Sequence, residues 1–280
     1  MAENTTNPLS KHFRQPAIYI KLPSNGEGYP PGALNIPPNG ELPVYPMTAM
    51  DEIISRTPDA LFNGSATVKL IQSCLPNIID PWAVSNVDLD LILTSIRIAT
   101  FGHEMEMSVK CPSCEEEDNY AIDLRNIIDN IKKPDYSKSA HLHGLEIYFR
   151  PLTYKELNES SQKQFEQQKM LQLSTDENTN ATAEEKLRLM GQALENITAL
   201  TIDTMVSSIS AIKSDDEVVS DKTHIKEFLQ NTDKKIFDQI RDHLTAVREE
   251  SELKPMQFTC NSCKHEFSSP FTLDQSNFFA

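Results

Sequence analysis

The sequence predicts an α+β fold that is mostly helical, with a small antiparallel sheet, a large helical insertion within it and an extended proline-rich N-terminal arm. Two Cys-x-x-Cys motifs, each flanked by alternating apolar and polar residues, lie 145 residues apart and indicate two hairpins. Apolar residues recur at helical spacing through much of the chain between them. The first 46 residues contain nine of the 17 prolines and four of the eight glycines, which excludes a regular helix there.

The two Cys-x-x-Cys motifs predict one metal site with four thiolate ligands, Cys111, Cys114, Cys260 and Cys263. A spacer of two residues lets a tight turn direct both sulfur atoms of a pair toward one point, and structural zinc prefers four tetrahedral donors of this kind. The flanking residues 103–125 and 254–280 are then the two halves of a zinc ribbon that binds one structural Zn²⁺ per chain. Because four thiolates complete the coordination shell, the site is expected to stabilise the fold and not to catalyse a reaction.

Other interpretations of the cysteines remain open. A redox-active pair is one alternative, although such pairs usually lie where a strand enters a helix. Four unrelated buried thiols are another. His265, two residues after Cys263, could replace one cysteine as a ligand, but we expect it to be an exposed strand residue.

Residues 1–46 are predicted to form the extended arm. Residues 17–23 and 41–46 could be short edge strands, since turn-forming Gly, Asn and Pro residues separate them. The aromatic and aliphatic side chains of the arm argue against disorder. They could cover the body of the same chain or a neighbouring subunit, and we expect the former.

Residues 47–102 are predicted to form a cluster of three short helices. Thr48 and Asp51 fit the capping box that opens the first of them. We interpret Trp82, the single tryptophan, as a core anchor. Cys74 lies in an apolar stretch and is expected to be a buried, inert thiol.

Residues 126–253 are predicted to form a mainly helical insertion. Capping boxes at residues 153–156 and 182–185 open two helices, the first of which is polar almost all round. Such a helix either projects into solvent or packs against a partner protein. The other expected elements are a short helix at 124–131, a strand at 145–149, a polar linker at 173–181, a hairpin or loop at 213–221, and two final helices at 222–230 and 233–250.

The acidic composition disfavours nucleic acid as a partner. The formal net charge is −15, and the first Cys-x-x-Cys motif is followed by the acidic run 115–118. Binding of phosphate requires clustered Lys and Arg side chains, whereas acidic side chains follow the first motif. No stretch approaches the roughly 18 consecutive apolar residues of a membrane helix, and the first residues do not resemble a signal peptide. We therefore expect no membrane span and a cytosolic site of synthesis.

The sequence contains no motif that would place an enzyme active site. A glycine-rich phosphate loop, a Gly-x-Ser-x-Gly elbow and a His-Glu-x-x-His helix are all missing. His141 and His143 could offer two metal ligands from one strand face, but without a third donor nearby we interpret them as exposed. We predict no catalytic residues, no small-molecule substrate and no organic cofactor.

The last ten residues end in Phe278 and Phe279. Exposed aromatic side chains at a chain end are unfavourable in water. They are expected to pack on the ribbon of the same chain or on another subunit, and both possibilities remain open.

Three segments carry a resemblance to a known family. They are residues 46–52 (PMTAMDE), 57–64 (TPDALFNG) and 79–84 (IDPWAV), followed by the first Cys-x-x-Cys hairpin. On these segments the chain resembles a family of tail baseplate hub proteins from T-even-type contractile-tailed bacteriophages. The resemblance covers the first 125 residues best. It implies a non-enzymatic part in building or forming the central hub, as a subunit or as an assembly factor.

The leading hypothesis is therefore a structural or assembly component of the bacteriophage baseplate hub that acts through protein contacts. Its partners would be other baseplate and tail proteins in a multiprotein assembly. It would be located in the host cytoplasm during assembly, and in the virion if it is a hub subunit. The alternative is a zinc-ribbon protein that binds nucleic acid or takes part in transcription, and a third hypothesis is a cytosolic redox enzyme.

Overall fold

The protein is described by a computed structural model that covers residues 7–57, 62–175, 182–215, 217–250 and 253–270. The helices in these ranges are α1 Ala49–Ser55, α2 Ser65–Cys74, α3 Asn86–Phe101, α4 Leu124–Asn130, α5 Tyr154–Thr175, α6 Ala183–Ser208, α7 Lys222–Asn231 and α8 Lys234–Glu249. The strands are β1 Ile18–Ile20, β2 Leu42–Val44, β3 Glu104–Lys110, β4 Glu117–Asp123, β5 Ala140–Leu142, β6 Leu145–Phe149, β7 Ile209–Ser214, β8 Glu217–Val219, β9 Met256–Thr259 and β10 Glu266–Ser269. All strand pairs are antiparallel, so the predicted mixture of helices and small antiparallel sheets is confirmed.

The N-terminal segment is part of the first hydrophobic core. Strands β1 and β2 pair with Ile18 opposite Val44, and their inward side chains pack in one cluster with those of α2 and α3. The buried carboxylate of Asp88 on α3 accepts hydrogen bonds from the Ser24 backbone N–H (2.9 Å) and the Tyr29 hydroxyl (2.9 Å). Residues 18–44 thus lie over the body of the same chain, as expected. They are a layer of its core and not a separate arm, because alternate side chains of the two strands face the helices.

A partly buried polar network, centred on Asp51, holds the N-terminus of α1. The Asp51 carboxylate accepts hydrogen bonds from the backbone N–H and the hydroxyl of Thr48 (both 2.8 Å), which confirms the predicted capping box. It also accepts one from the Ser73 hydroxyl (2.9 Å). The Arg14 guanidinium donates to the carbonyl oxygens of Pro46 (2.6 Å) and Ser73 (2.7 Å). This network ties the N-terminal segment, α1 and α2 together.

Changing Asp51 to alanine is expected to lower the free energy of unfolding by about 1–3 kcal/mol, because it removes the buried carboxylate that accepts hydrogen bonds from Thr48 and Ser73. Urea unfolding followed by circular dichroism measures the loss. Glu41→Ala is the control, since Glu41 makes an exposed ion pair with Lys21 at 3.7 Å, and such pairs contribute about 0–1 kcal/mol. Equal losses in the two variants would contradict the role of the network.

The structure agrees with the prediction of Trp82 as a core anchor and of Cys74 as a buried thiol. The half-buried Trp82 ring packs against the first core and stacks on Tyr154 at 5.6 Å between ring centroids. Cys74 is fully buried, and burial, together with the nearby Asp51 carboxylate, raises the pKa of its thiol to about 12. A thiol of this kind is a packing residue and a poor nucleophile.

The insertion contains a second core built on a sheet. Strands β5, β6, β7 and β8 form one four-stranded sheet in that order, and α7 and α8 contribute side chains to the same core. Its fully buried side chains include Ile147, Ile209, Ile225 and Ile240. The sequence predicted the strand at 145–149 and a hairpin or loop near 215, but the complete sheet was not predicted. Its central pairing joins Leu145 to Ser214, and local periodicity carries no information about a contact so distant in sequence.

Helices α5 and α6 form an antiparallel hairpin, as the hydrogen bonds Ser160 to Thr204 and Asn196 to Gln167 show. Both predicted capping boxes are present, with Glu156 accepting from Thr153 and Glu185 from Thr182. Helix α5 extends further into the predicted linker than expected, and residues 176–181 lie outside the described residues. No helix in the described ranges combines the length and apolar character that a membrane crossing requires.

Candidate metal centre

The first cysteine pair lies in the turn between β3 and β4. Lys110 and Glu117 are the last paired residues before this turn. Within it, the Cys111 N–H donates to the Glu116 carbonyl oxygen (2.8 Å), and the Glu115 N–H donates to the Cys111 carbonyl oxygen (3.0 Å). Glu115 adopts a left-handed backbone with φ of 61°. This tight turn directs the sulfur atoms of Cys111 and Cys114 to the same side.

The second pair repeats this geometry between β9 and β10. The Cys260 N–H donates to the His265 carbonyl oxygen (2.9 Å), and the Lys264 N–H donates to the Cys260 carbonyl oxygen (3.0 Å). Lys264 has a φ of 61°, the same value as its counterpart Glu115 in the first turn. Two turns that are distant in sequence therefore adopt one backbone conformation around their cysteines.

Aromatic packing holds the two hairpins against each other. Each hairpin forms a two-stranded sheet of its own. The ring of Tyr120 on β4 lies 4.9 Å from that of Phe258 on β9, and the Tyr120 hydroxyl donates to the Thr259 carbonyl oxygen (3.3 Å). Phe258 and Phe267 are buried together with Val109 and Ile122 in the first core. The contact between Tyr120 and Phe258 was not predicted, although both residues occupy inward positions of the predicted strands.

The four sulfur atoms converge on one point. The distance between the sulfur atoms of Cys111 and Cys263 is 3.7 Å, and that between Cys114 and Cys260 is 3.6 Å. All four lie within 4.8 Å of one another. A tetrahedral zinc–thiolate site with bonds of about 2.3 Å requires sulfur–sulfur distances of about 3.8 Å. The donor set therefore fits zinc in both chemistry and spacing.

The electrostatics of the cluster favour a cation. Backbone N–H groups of Cys263 and Ser262 point toward the Cys260 sulfur and lower the pKa of this thiol to about 7. The pKa of Cys114 moves the other way, to about 12, because the neighbouring thiols outweigh the backbone hydrogen bond from Glu116. The Cys114 thiol thus keeps its proton as a hydrogen-bond donor to its neighbours, and these hydrogen bonds favour the Cys260 thiolate. A bound divalent cation would take the place of the shared protons and stabilise all four thiolates at neutral pH.

The other candidate ligands lie apart from this cluster. His265 is exposed and its ring stacks on Phe267, with 6.4 Å between the ring centroids. His141 and His143 are exposed in the β5–β6 hairpin, where His141 lies 3.8 Å from Glu146. Within the described parts of the chain, the four cysteines are the group that brings together three or more potential ligands. Both Cys-x-x-Cys motifs occupy hairpin turns, whereas redox pairs usually precede a helix.

Comparison with known families identifies what kind of protein carries this centre. A family model described as T4 bacteriophage base plate protein matches residues 39–280. The chain belongs to this family. It is a bacteriophage baseplate protein, and its partners are other proteins of the phage tail. The match extends beyond the first 125 residues, where the resemblance was best, and includes the insertion and both Cys-x-x-Cys motifs. A search of curated proteins and a search of solved structures each found no match.

Proposed function

We propose that this baseplate protein is a non-catalytic structural or assembly component of the baseplate hub, stabilised by one zinc ion. The observation that carries the proposal is that the family match includes both motifs, whose four sulfur atoms converge at zinc-binding distances. Cys111, Cys114, Cys260 and Cys263 would be the ligands. Since four thiolates fill the coordination shell, the metal would have no open position for a substrate or water.

The metal would join the two cysteine hairpins and so connect the parts of the chain on either side of them. Residues 103–125 and 254–280 would be the two halves of a zinc ribbon. The ribbon would connect the helical cluster 47–102, on which the described residues 18–44 pack, to the insertion 126–253. The surfaces of the cluster and of the insertion then serve as contacts with neighbouring proteins. Phe278 and Phe279, which were predicted to pack on the ribbon or on a subunit, lie outside the described residues.

The surface next to the centre is unsuited to nucleic acid. Glu115, Glu116 and Glu117 are exposed beside the first cysteine turn. Their carboxylates repel phosphate, and the chain as a whole has a formal charge of −15. Protein contacts are therefore preferred over nucleic-acid binding as the mode of action.

Quantitative mass spectrometry of infected-cell lysates, purified baseplate intermediates and mature virions tests the proposal. A hub subunit is expected in all three samples, at a constant ratio to the other baseplate proteins. A transient assembly factor is expected in lysates and intermediates and to be depleted from virions. Absence from both the intermediates and the virions, while the protein is abundant in lysates, would overturn a role in the hub.

A further inference from the structure

Strands β4 and β9, one from each cysteine hairpin, face each other across a groove. Consecutive residues of both strands line it, 120–123 of β4 and 256–259 of β9. The groove has a volume of about 430 Å³ and is open to solvent. In the described part of the chain the two hairpins remain separate two-stranded sheets, so β4 and β9 are not paired with each other. The groove therefore lies between two strand edges.

The backbone of β4 presents unpaired groups to this groove. In an antiparallel pair, residues that bond to the partner strand alternate with residues whose N–H and C=O groups point away from it. The Leu124 N–H donates to the His103 carbonyl oxygen (2.8 Å), in register with the β3–β4 pair. Counted along the strand from that bond, the N–H groups of Ala121 and Asp123 point away from β3. Both residues line the groove.

The edge of β9 on the other side of the groove is equivalent. The Cys260 N–H donates to the His265 carbonyl oxygen (2.9 Å), so the backbone groups of Gln257 and Thr259 point away from β10. The Tyr120 hydroxyl crosses the groove to reach the Thr259 carbonyl oxygen (3.3 Å). Since neighbouring strands lie about 4.8 Å apart, a gap that one tyrosine side chain bridges has room for one further strand and not for two.

The segment 271–280, which lies outside the described residues, is attached next to this groove. Strand β10 ends at Ser269, which pairs with Met256, and Met256 lines the groove at the end farthest from the cysteines. The groove lies beyond β9, about 10 Å from β10, and residues 271–273 can span that distance at about 3.3 Å per residue. The remaining seven residues reach about 23 Å when extended, which exceeds the length of the four-residue strand β9.

The composition of the segment suits an added strand. Its sequence, FTLDQSNFFA, contains no proline or glycine that would interrupt strand pairing, and it has a single charged side chain. A second pocket of about 280 Å³ shares Met256 with the groove, and Ile127, Leu253 and Pro255 line it together with polar side chains. It offers an apolar contact to Phe271, the first residue of the segment.

We infer that residues 271–280 of the same chain occupy the groove as an added strand, parallel to β9 and antiparallel to β4. The strands β3, β4, segment 271–280, β9 and β10 would then form one five-stranded sheet, held by main-chain hydrogen bonds as in other cases of strand addition. A tethered segment has a high effective concentration at the groove, which favours it over a strand of another protein. It would also cover two edges that otherwise invite pairing with other chains. This inference goes beyond the proposed function and does not rest on it.

Residue-resolved hydrogen exchange of the full-length protein and of a chain shortened to residues 1–270 tests the inference. The N–H groups of Ala121, Asp123 and Gln257 are expected to exchange about tenfold or more slowly in the full-length protein, because the added strand accepts their hydrogen bonds. The N–H groups of Tyr120 and Phe258 face the partner strands within the two hairpins. They should exchange slowly in both proteins, which verifies that the hairpins remain folded.

Two full-length variants complete the test. Phe278→Ser combined with Phe279→Ser should speed exchange at the edges of β4 and β9, because it removes the apolar contacts of the segment. The matched control, Ser276→Ala combined with Asn277→Ala, should retain the protection. Equal exchange of the edge amides in the full-length and shortened chains would overturn the inference. Protection that rises with protein concentration, together with a dimer in sedimentation that the shortened chain does not form, would overturn it in favour of a second copy's segment.

Discussion

Changing Cys111 or Cys260 to serine is expected to abolish zinc binding and to unfold the two hairpins that surround the centre. Both cysteines are buried, with 1% and 0% exposure. Solvent is therefore excluded from their positions and cannot supply a ligand in place of the missing thiolate. Structural zinc sites in small peptides bind with apparent free energies of about 10–16 kcal/mol, and that energy is folding energy. Most of the stability of the hairpins should therefore be lost. Elemental analysis of protein purified without chelator is expected to give one zinc per native chain and none in the variants.

The fifth cysteine provides the control for this experiment. Cys74→Ala removes a buried thiol that lies outside the four-cysteine cluster, so the zinc content should remain one per chain. A strong chelator should lower the melting temperature of the native protein and of Cys74→Ala, but should have little effect on Cys111→Ser. Two zinc ions per native chain, or none, would contradict a single shared site.

Changing Ile147 to alanine is expected to destabilise the insertion by about 2–5 kcal/mol while the zinc centre stays intact. Ile147 is fully buried in the core of the four-stranded sheet, whereas Ile92 is fully buried in the core that also contains the cysteine hairpins. Because these cores are separate clusters, we expect two calorimetric transitions. Ile147→Ala should lower the midpoint temperature of the transition of the insertion core, and Ile92→Ala should lower that of the other core.

The second experiment also measures the zinc content and includes a control variant at the surface of the same sheet. Ile147→Ala should retain one zinc per chain at temperatures where its own core has already unfolded. Val218→Ala, at an exposed position of β8, should change stability by no more than about 0.5 kcal/mol. A single transition that both isoleucine variants lower equally would show that the two cores unfold as one unit.

Two kinds of feature could be predicted from the sequence. Some are encoded by residues close together in the chain, and others by side chains, such as paired cysteines, that serve few purposes. The capping boxes at Thr48, Thr153 and Thr182 depend on a side chain and a backbone group three residues apart. Convergence of the two cysteine pairs could be predicted although they are distant in sequence, because thiolates at this spacing have few other uses in a protein of this composition.

Features that depend on distant, chemically ordinary residues could not be predicted. Strand β7 follows α6 without a break, and its side chains Ile209 and Ile212 continue an apolar pattern that also suits a helix. Pairing with β6 and with β8 distinguishes the two, and nothing local encodes the pairing with β6. Likewise, the isolated bridge between Leu34 and Ile78 brings a proline-rich segment onto the helical cluster through a contact that no motif signals.

The position of the cysteine hairpins also determines how the chain would carry mechanical load. The hairpins bring Cys114 and Cys260 to a sulfur–sulfur distance of 3.6 Å, although the entire insertion lies between them along the chain. With a metal bound, tension applied to the flanking parts would pass from one hairpin to the other through sulfur–metal bonds. The insertion would bear almost none of that force. In a baseplate under tension, the folded insertion would remain undeformed while the flanking parts of the chain are pulled.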